Sequence, residues 1–90
     1  MSRFSFPSGV AFQQLGDDQD GVMMSLASGY LYRCNRTASV VLAAIAEGRS
    51  LEEAVQELSR QYDVHPERIR GDVDALLATL QQRKLICAAA

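Results

Sequence analysis

Ninety residues, 48% of them apolar, are enough for one small domain with a single hydrophobic core. The formal net charge of −2 argues against a general attraction to nucleic acid or to anionic membranes. No apolar run approaches the roughly 20 residues that span a bilayer, and the N-terminus lacks the apolar segment of a signal peptide. We therefore expect a cytoplasmic protein without nucleic-acid or membrane partners.

Three strands are predicted in the first part of the chain, after an irregular lead-in over residues 1–9. Their side chains alternate in residues 10–15, 22–26 and 30–34, the period of half-buried strands. The Gly- and Asp-rich segment 16–21 is predicted to be a turn, because Gly permits positive φ and Asp side chains bond to nearby backbone. Short turns between consecutive strands predict an antiparallel meander.

The second strand leaves open which face of this sheet the helices cover. Val22, Met24 and Leu26 share one face, and Met23 and Ser25 share the other. We expect Val22, Met24 and Leu26, or their neighbours, to be buried.

The apolar period changes at Asn35, where the first helix begins. Asn35 is a suitable N-cap, and the helix is expected to continue to about Glu47, with Gly48 as the C′ residue. A strand that leads directly into a capped helix can leave an open sheet edge beside a helical layer. Such an edge can accept an extended peptide as an additional strand.

Two more helices follow, and each has a recognisable start. Ser50 and Glu53 form a capping box for the second helix, and Pro66 suits the first position of the third. The second helix has an apolar stripe at Leu51, Ala54, Val55, Leu58 and Tyr62, and the third has one at Ile69, Val73, Leu76, Leu77 and Leu80. The third helix is expected to end near residues 83–84, and residues 88–90 are expected to fray.

Together these elements predict an α+β fold, a winged-helix-like domain with a three-stranded antiparallel sheet followed by three helices. Residues 10–87 form the domain in this interpretation. Cys34 and Cys87 lie far apart without metal-ligand spacing, so we expect free thiols. The only histidine, His65, has no partner in a catalytic spacing. We predict no enzyme activity, no cofactor and no metal.

Several segments, in order and at matching spacings, resemble PqqD-like proteins, which recognise ribosomally made and modified peptides. They are residues 29–38 (GYLYRCNRTA), 48–54 (GRSLEEA), 62–67 (YDVHPE) and the apolar positions from Asp72 to Ile86. The resemblance covers roughly Gly9 to Ile86. The short free-standing form is similar to the leader-binding protein of lasso-peptide gene clusters, where the leader peptidase is a separate polypeptide.

The resemblance implies that the chain binds the N-terminal leader of a precursor peptide. The leader would add as a strand to the edge of the third strand and lie against the third helix. The chain would then present the precursor to a separate leader peptidase, with the macrocyclase as a further candidate partner. Three positions depart from the family pattern: His65 replaces the more frequent Asp, Leu42 a frequent Trp, and Lys84 the usual Gly before Leu85-Ile86.

The predicted peptide-binding residues lie on the third strand and on one margin of the third helix. They are Tyr30, Leu31, Tyr32, Arg33 and Cys34 on the strand, with Asp72, Leu76, Thr79, Leu80 and Arg83 on the helix. Leu31 and Arg33 share the strand face that we place toward the leader. Two points stay open. Leu76 could equally be a core residue, and the opposite margin of the helix, with Arg70, Leu77 and Gln81, could line the groove instead. Arg33 and Arg83 could pair with acidic leader residues or remain solvated surface charges.

Two other classes of function compete with peptide binding. A winged-helix DNA-binding regulator would read DNA with the third helix, but Arg68 and Arg70 are offset there by Glu67, Asp72 and Asp74. A small dimerisation domain would instead cover the same strand edge by pairing with a second copy.

Overall fold

The computed structural model describes residues 3–15 and 20–89, so most of the predicted turn at 16–21 lies outside the described residues. In chain order the elements are β1 (Arg3–Ser5), β2 (Val10–Leu15), β3 (Asp20–Ser25), β4 (Leu31–Cys34), α1 (Arg36–Ala46), α2 (Leu51–Tyr62), α3 (Pro66–Gln82) and β5 (Cys87–Ala89). Strands β2, β3 and β4 form an antiparallel meander with β3 in the centre. The predicted α+β class, a three-stranded sheet followed by three helices, is confirmed.

The two ends of the chain form a second sheet that the sequence analysis did not anticipate. β1 and β5 pair antiparallel, with Arg3 opposite Ala89 and Ser5 opposite Cys87. We expected an irregular lead-in over residues 1–9 and a frayed tail over residues 88–90. For the described part of each segment, these predictions are corrected. Strands of three residues carry too little alternation to be recognised, and their pairing partners lie more than 80 residues apart.

The sheet turns the Met23 face of β3 toward the helices. Met23 and Ser25 are buried, whereas Met24 is 43% exposed and Leu26 is 73% exposed. The choice that the sequence left open is thus decided: the neighbours of Val22, Met24 and Leu26 form the inner face. Gly21 contributes to this arrangement, because a Cβ there would lie 2.6 Å from the Phe12 ring. The inner face can accept Phe12 only where β3 has no side chain.

Helix α1 lies between the sheet and the other two helices, and its middle is fully buried at Val41, Leu42 and Ala44. The predicted N-cap is present, since the Asn35 side chain accepts a hydrogen bond from the Ala38 N–H at 2.9 Å. Gly48 follows the helix at a φ of 72°, which favours glycine.

The starts of α2 and α3 follow the predicted capping patterns. The Ser50 hydroxyl accepts from the Glu53 N–H at 3.2 Å, and His65 Nδ1 accepts from the Glu67 N–H at 3.2 Å. His65 therefore serves as an N-cap in the position where the family more often has Asp. Tyr62, expected in the apolar stripe of α2, is instead 42% exposed as the last residue of that helix.

After α3 the chain turns back over the core at Leu85 and Ile86, which are both buried. Lys84 makes this turn with a φ of 59°, a left-handed conformation that glycine adopts more easily. The turn therefore explains why Gly is usual at this position in the family. None of the helices within residues 20–89 combines the length and apolarity needed to cross a membrane.

Candidate functional site

Strand β4 is paired on one side only within the described part of the chain. At its start, the Ser25 N–H of β3 donates to the Tyr30 carbonyl at 3.0 Å. Hydrogen-bonded residues alternate in an antiparallel pair, so every second residue of β4 after Tyr30 bonds toward β3. The backbone N–H and C=O groups of the intervening residues, Leu31 and Arg33, consequently point to the open edge.

This edge opens onto a cavity of about 400 Å³ between β4, the start of α1 and α3, which we call the edge groove. Five of its lining residues are buried and apolar: Met23, Cys34, Leu42, Leu80 and Leu85. The remaining lining residues are Tyr32, Arg33, Asn35, Thr37, Ala38, Asp72, Leu76, Thr79 and Arg83. The groove thus combines an apolar floor with an unpaired backbone edge.

Eight of the ten predicted site residues line the edge groove, on either β4 or α3. The exceptions are Tyr30 and Leu31. Tyr30 precedes β4, is 65% exposed and packs edge-on against the Tyr32 ring, with 6.2 Å between ring centroids. Leu31 is 60% exposed on the outer face of the sheet. Its backbone lies at the open edge, but its side chain does not form part of the groove wall.

The structure also shows which margin of α3 faces β4. Asp72, Leu76, Thr79 and Arg83 lie within an arc of about 60° at 100° per residue, and all four line the edge groove. The alternative margin of α3 lines a different cavity, which lies between α2 and α3 and which we call the interhelix cavity. The residues of this margin that line it include Arg70, Leu77 and Gln81.

Leu76 is half-buried: it packs against the hydrophobic core and also lines the edge groove. The two roles that the sequence left open are therefore combined in one side chain. Thr79 is exposed, and its hydroxyl donates to the Ala75 carbonyl at 3.2 Å, so it is satisfied within its own helix.

The edge groove includes one thiol, that of Cys34. Burial raises the pKa of the Cys34 thiol, and a hydrogen bond with the Met23 backbone opposes this only in part. The protonated thiol donates to the Tyr32 carbonyl at 3.7 Å and is a poor nucleophile. Within residues 3–15 and 20–89, no three His, Cys, Asp or Glu side chains gather as metal ligands do.

The sequence did not identify three of the residues that form the floor of the edge groove, nor those that line it at the start of α1. Met23 lies in β3, Leu42 in α1 and Leu85 in the turn after α3, and nothing in their local pattern distinguishes them from other core residues. Thr37 and Ala38 were also missed, although they follow β4 within four residues and so had to lie near its end.

Comparisons with known proteins agree with this geometry. The family described as Coenzyme PQQ synthesis protein D (PqqD) matches residues 20–86. A solved structure described as TbiB1 in complex with the TbiA(beta) leader peptide is 22% identical, with a TM-score of 0.81, over 96% of this chain and 98% of that chain. Another, described as lasso peptide synthetase B1 complexed with the leader peptide, is 22% identical with a TM-score of 0.80, over 94% and 98%. These two likenesses show the fold, and no curated protein matches the sequence significantly.

Proposed function

We propose that this chain, which belongs to the PqqD family, binds the leader segment of a ribosomally made precursor peptide as an additional strand beside β4. The observation that carries the proposal is the open edge of β4 above an apolar groove. Leu31 and Arg33 together offer two N–H donors and two C=O acceptors, which a neighbouring strand can bond. Two structures of the same fold are described as complexes with leader peptides.

The groove supports this proposal because it offers both components of strand recognition. Backbone bonds at the β4 edge give affinity with little sequence preference. Leu76 and the buried Leu80 of α3 face the same space and can accept apolar side chains from alternate positions of an added strand. The lasso-peptide type of precursor is proposed on the resemblance, as are delivery to a separate leader peptidase and contact with the macrocyclase.

The charges of α3 favour a peptide over duplex DNA as the ligand. Arg70 is bonded to Glu52 at 2.6 Å, and the same helix exposes Asp72 and Asp74. A DNA-reading helix needs several unneutralised cations facing the phosphates.

The proposal is tested by calorimetric titration with the synthetic leader of the precursor peptide encoded nearest to this gene. We expect a dissociation constant near or below about 1 μM, equivalent to roughly −8 kcal/mol. The decisive variant is Leu31→Pro, which removes an outward N–H at the first residue of an edge strand, where proline is tolerated. We expect it to weaken binding about tenfold, because one hydrogen bond is lost and the proline ring obstructs the edge.

The matched control is Gln14→Pro on β2, the other edge strand. Directly after β3, the Leu26 N–H donates a hydrogen bond to the carbonyl of Gly9, the residue before β2, at 2.8 Å. By alternation, the backbone of Gln14 therefore also points away from β3. This variant should retain wild-type affinity. Equal effects of the two prolines, or no saturable binding of the leader by the wild-type protein, would remove the proposed function.

A further inference from the structure

Three residues whose side chains are charged at neutral pH line the edge groove: Arg33, Arg83 and Asp72. None of them forms an ion pair within 4.0 Å in the described part of the chain, although Arg49 and Arg70 both do. The Arg33 side chain shares the outer face of the sheet with Leu31, so the charges on the α3 wall of the groove are one anion, Asp72, and one cation, Arg83. An added strand would bury part of these charges, which favours ligands that carry complementary ones.

The charges on α3 have a defined order and spacing. Asp72 and Arg83 are separated by eleven residues, which corresponds to about 16 Å along the helix at 1.5 Å per residue. Leu76 lies between them on the same margin. The groove wall therefore presents an anion, an apolar side chain and then a cation.

An extended peptide that runs along α3 can match this order with alternate side chains. Residues i, i+2 and i+4 of a strand point to the same face and span about 13 Å at 3.3 Å per residue. The reach of the long arginine side chain covers the remaining distance to Arg83. The cation of the peptide then lies opposite Asp72, and its carboxylate lies near Arg83.

We propose that the leader is selected by charge order: an acidic residue pairs with Arg83, and a basic residue four positions away pairs with Asp72. An apolar residue between them faces Leu76. This inference rests on the proposed function and adds the class of peptide that the groove accepts. Arg83 and Asp72 are its specificity-determining residues.

The test is a charge-exchange experiment by calorimetry with the leader defined above. Each acidic leader residue is replaced by Lys, and each basic residue by Glu, in separate peptides. We expect Arg83→Glu to weaken binding of the unaltered leader about five- to tenfold, the range for a partly exposed pair turned repulsive. One Lys-substituted leader should regain affinity for Arg83→Glu, and one Glu-substituted leader should do the same for Asp72→Lys.

The two rescued leader positions should be four residues apart. Arg60→Glu is the matched control, because Arg60 is an exposed arginine of α2 outside the edge groove, and it should leave every affinity unchanged. Binding of the unaltered leader should also weaken as salt is raised.

The outcomes separate this inference from the function on which it rests. Failure of the wild-type protein to bind any leader removes both. If the wild-type protein binds the leader and the Arg83→Glu and Asp72→Lys variants bind it with the same affinity, only the charge order is removed. The same holds if the variants bind more weakly but no substituted leader restores their affinity. Rescue at any other spacing also contradicts it, because an odd spacing places the two side chains on opposite faces of a strand, and spacings of two or six residues do not match the distance of about 16 Å between Asp72 and Arg83.

Discussion

The two margins of α3 line two cavities of nearly equal volume, each about 400 Å³, that differ in what bounds them. The edge groove is bounded on one side by the open strand β4. The interhelix cavity is bounded by side chains of α2 and α3 and by Phe4. At its rim Glu52 accepts hydrogen bonds from Arg70 at 2.6 Å and from Gln56 at 3.1 Å.

The comparison teaches that cavity volume alone does not identify the binding site in this fold. At the interhelix cavity, the carboxylate of Glu52 and the guanidinium of Arg70 already bond to each other. At the edge groove, the backbone groups of Leu31 and Arg33 point outward without a strand to bond. Unpaired backbone beside an apolar wall is the feature that an extended peptide can complete.

The largest expected effect comes from filling each cavity with the same side chain. Thr79 and Ala78 are adjacent, exposed residues of α3 on opposite margins. We expect Thr79→Trp to occupy the edge groove and to reduce leader affinity more than tenfold in calorimetry. Ala78→Trp should fill the interhelix cavity and leave leader affinity unchanged. The reverse pattern would assign the leader to the interhelix cavity.

Truncation of one buried leucine in each cavity should also distinguish the two cavities, with a smaller effect on leader affinity. Leu80 lines the edge groove and Leu77 lines the interhelix cavity, and both are nearly inaccessible to solvent. Truncation of either to Ala should lower the free energy of unfolding by about 2–5 kcal/mol, measured with urea. Only Leu80→Ala should also weaken leader binding by the folded protein. Equal leader affinity for the two variants would contradict a role for Leu80 in the groove.

The smallest effect is expected at the rim of the interhelix cavity. Hydrogen bonds from Arg70 and Gln56 hold the pKa of the exposed Glu52 below its usual range. Because the folded-state pKa is lowered, the stabilisation is present above the unfolded-state pKa and is lost as pH falls through the folded-state value.

Glu52→Gln should therefore lower the melting temperature slightly at pH 7. The difference from wild type should disappear below the ordinary glutamate pKa of about 4.3. Leader affinity should not change at pH 7. A melting-temperature difference that grows as the pH falls would reverse the expected sign and refute this account of the ion pair.

Local patterns predicted the elements of the main sheet and the helices well, because each is specified by residues close in sequence. The β2 strand has the predicted bounds, and Asn35, Ser50 and Pro66 mark the helix starts as expected. The helical period also grouped the four α3 residues that line the edge groove. Their role in peptide binding remains a prediction.

Other features depended on contacts between distant segments. The buried face of β3 stayed open at the level of sequence, because both of its faces carry methionine. The pairing of β1 with β5 joins the two ends of the chain, and three-residue strands give no periodic signal.

The sequence by itself therefore determined the three strands of the main sheet, the three helices with their caps and the set of residues on each margin of α3, since these follow from backbone preferences and local periodicity. Only the tertiary structure decided which margin faces β4 and which backbone groups of that strand remain unpaired. Those properties arise from the packing of α3 and from the register of β3 against β4, which involve residues far apart in the chain.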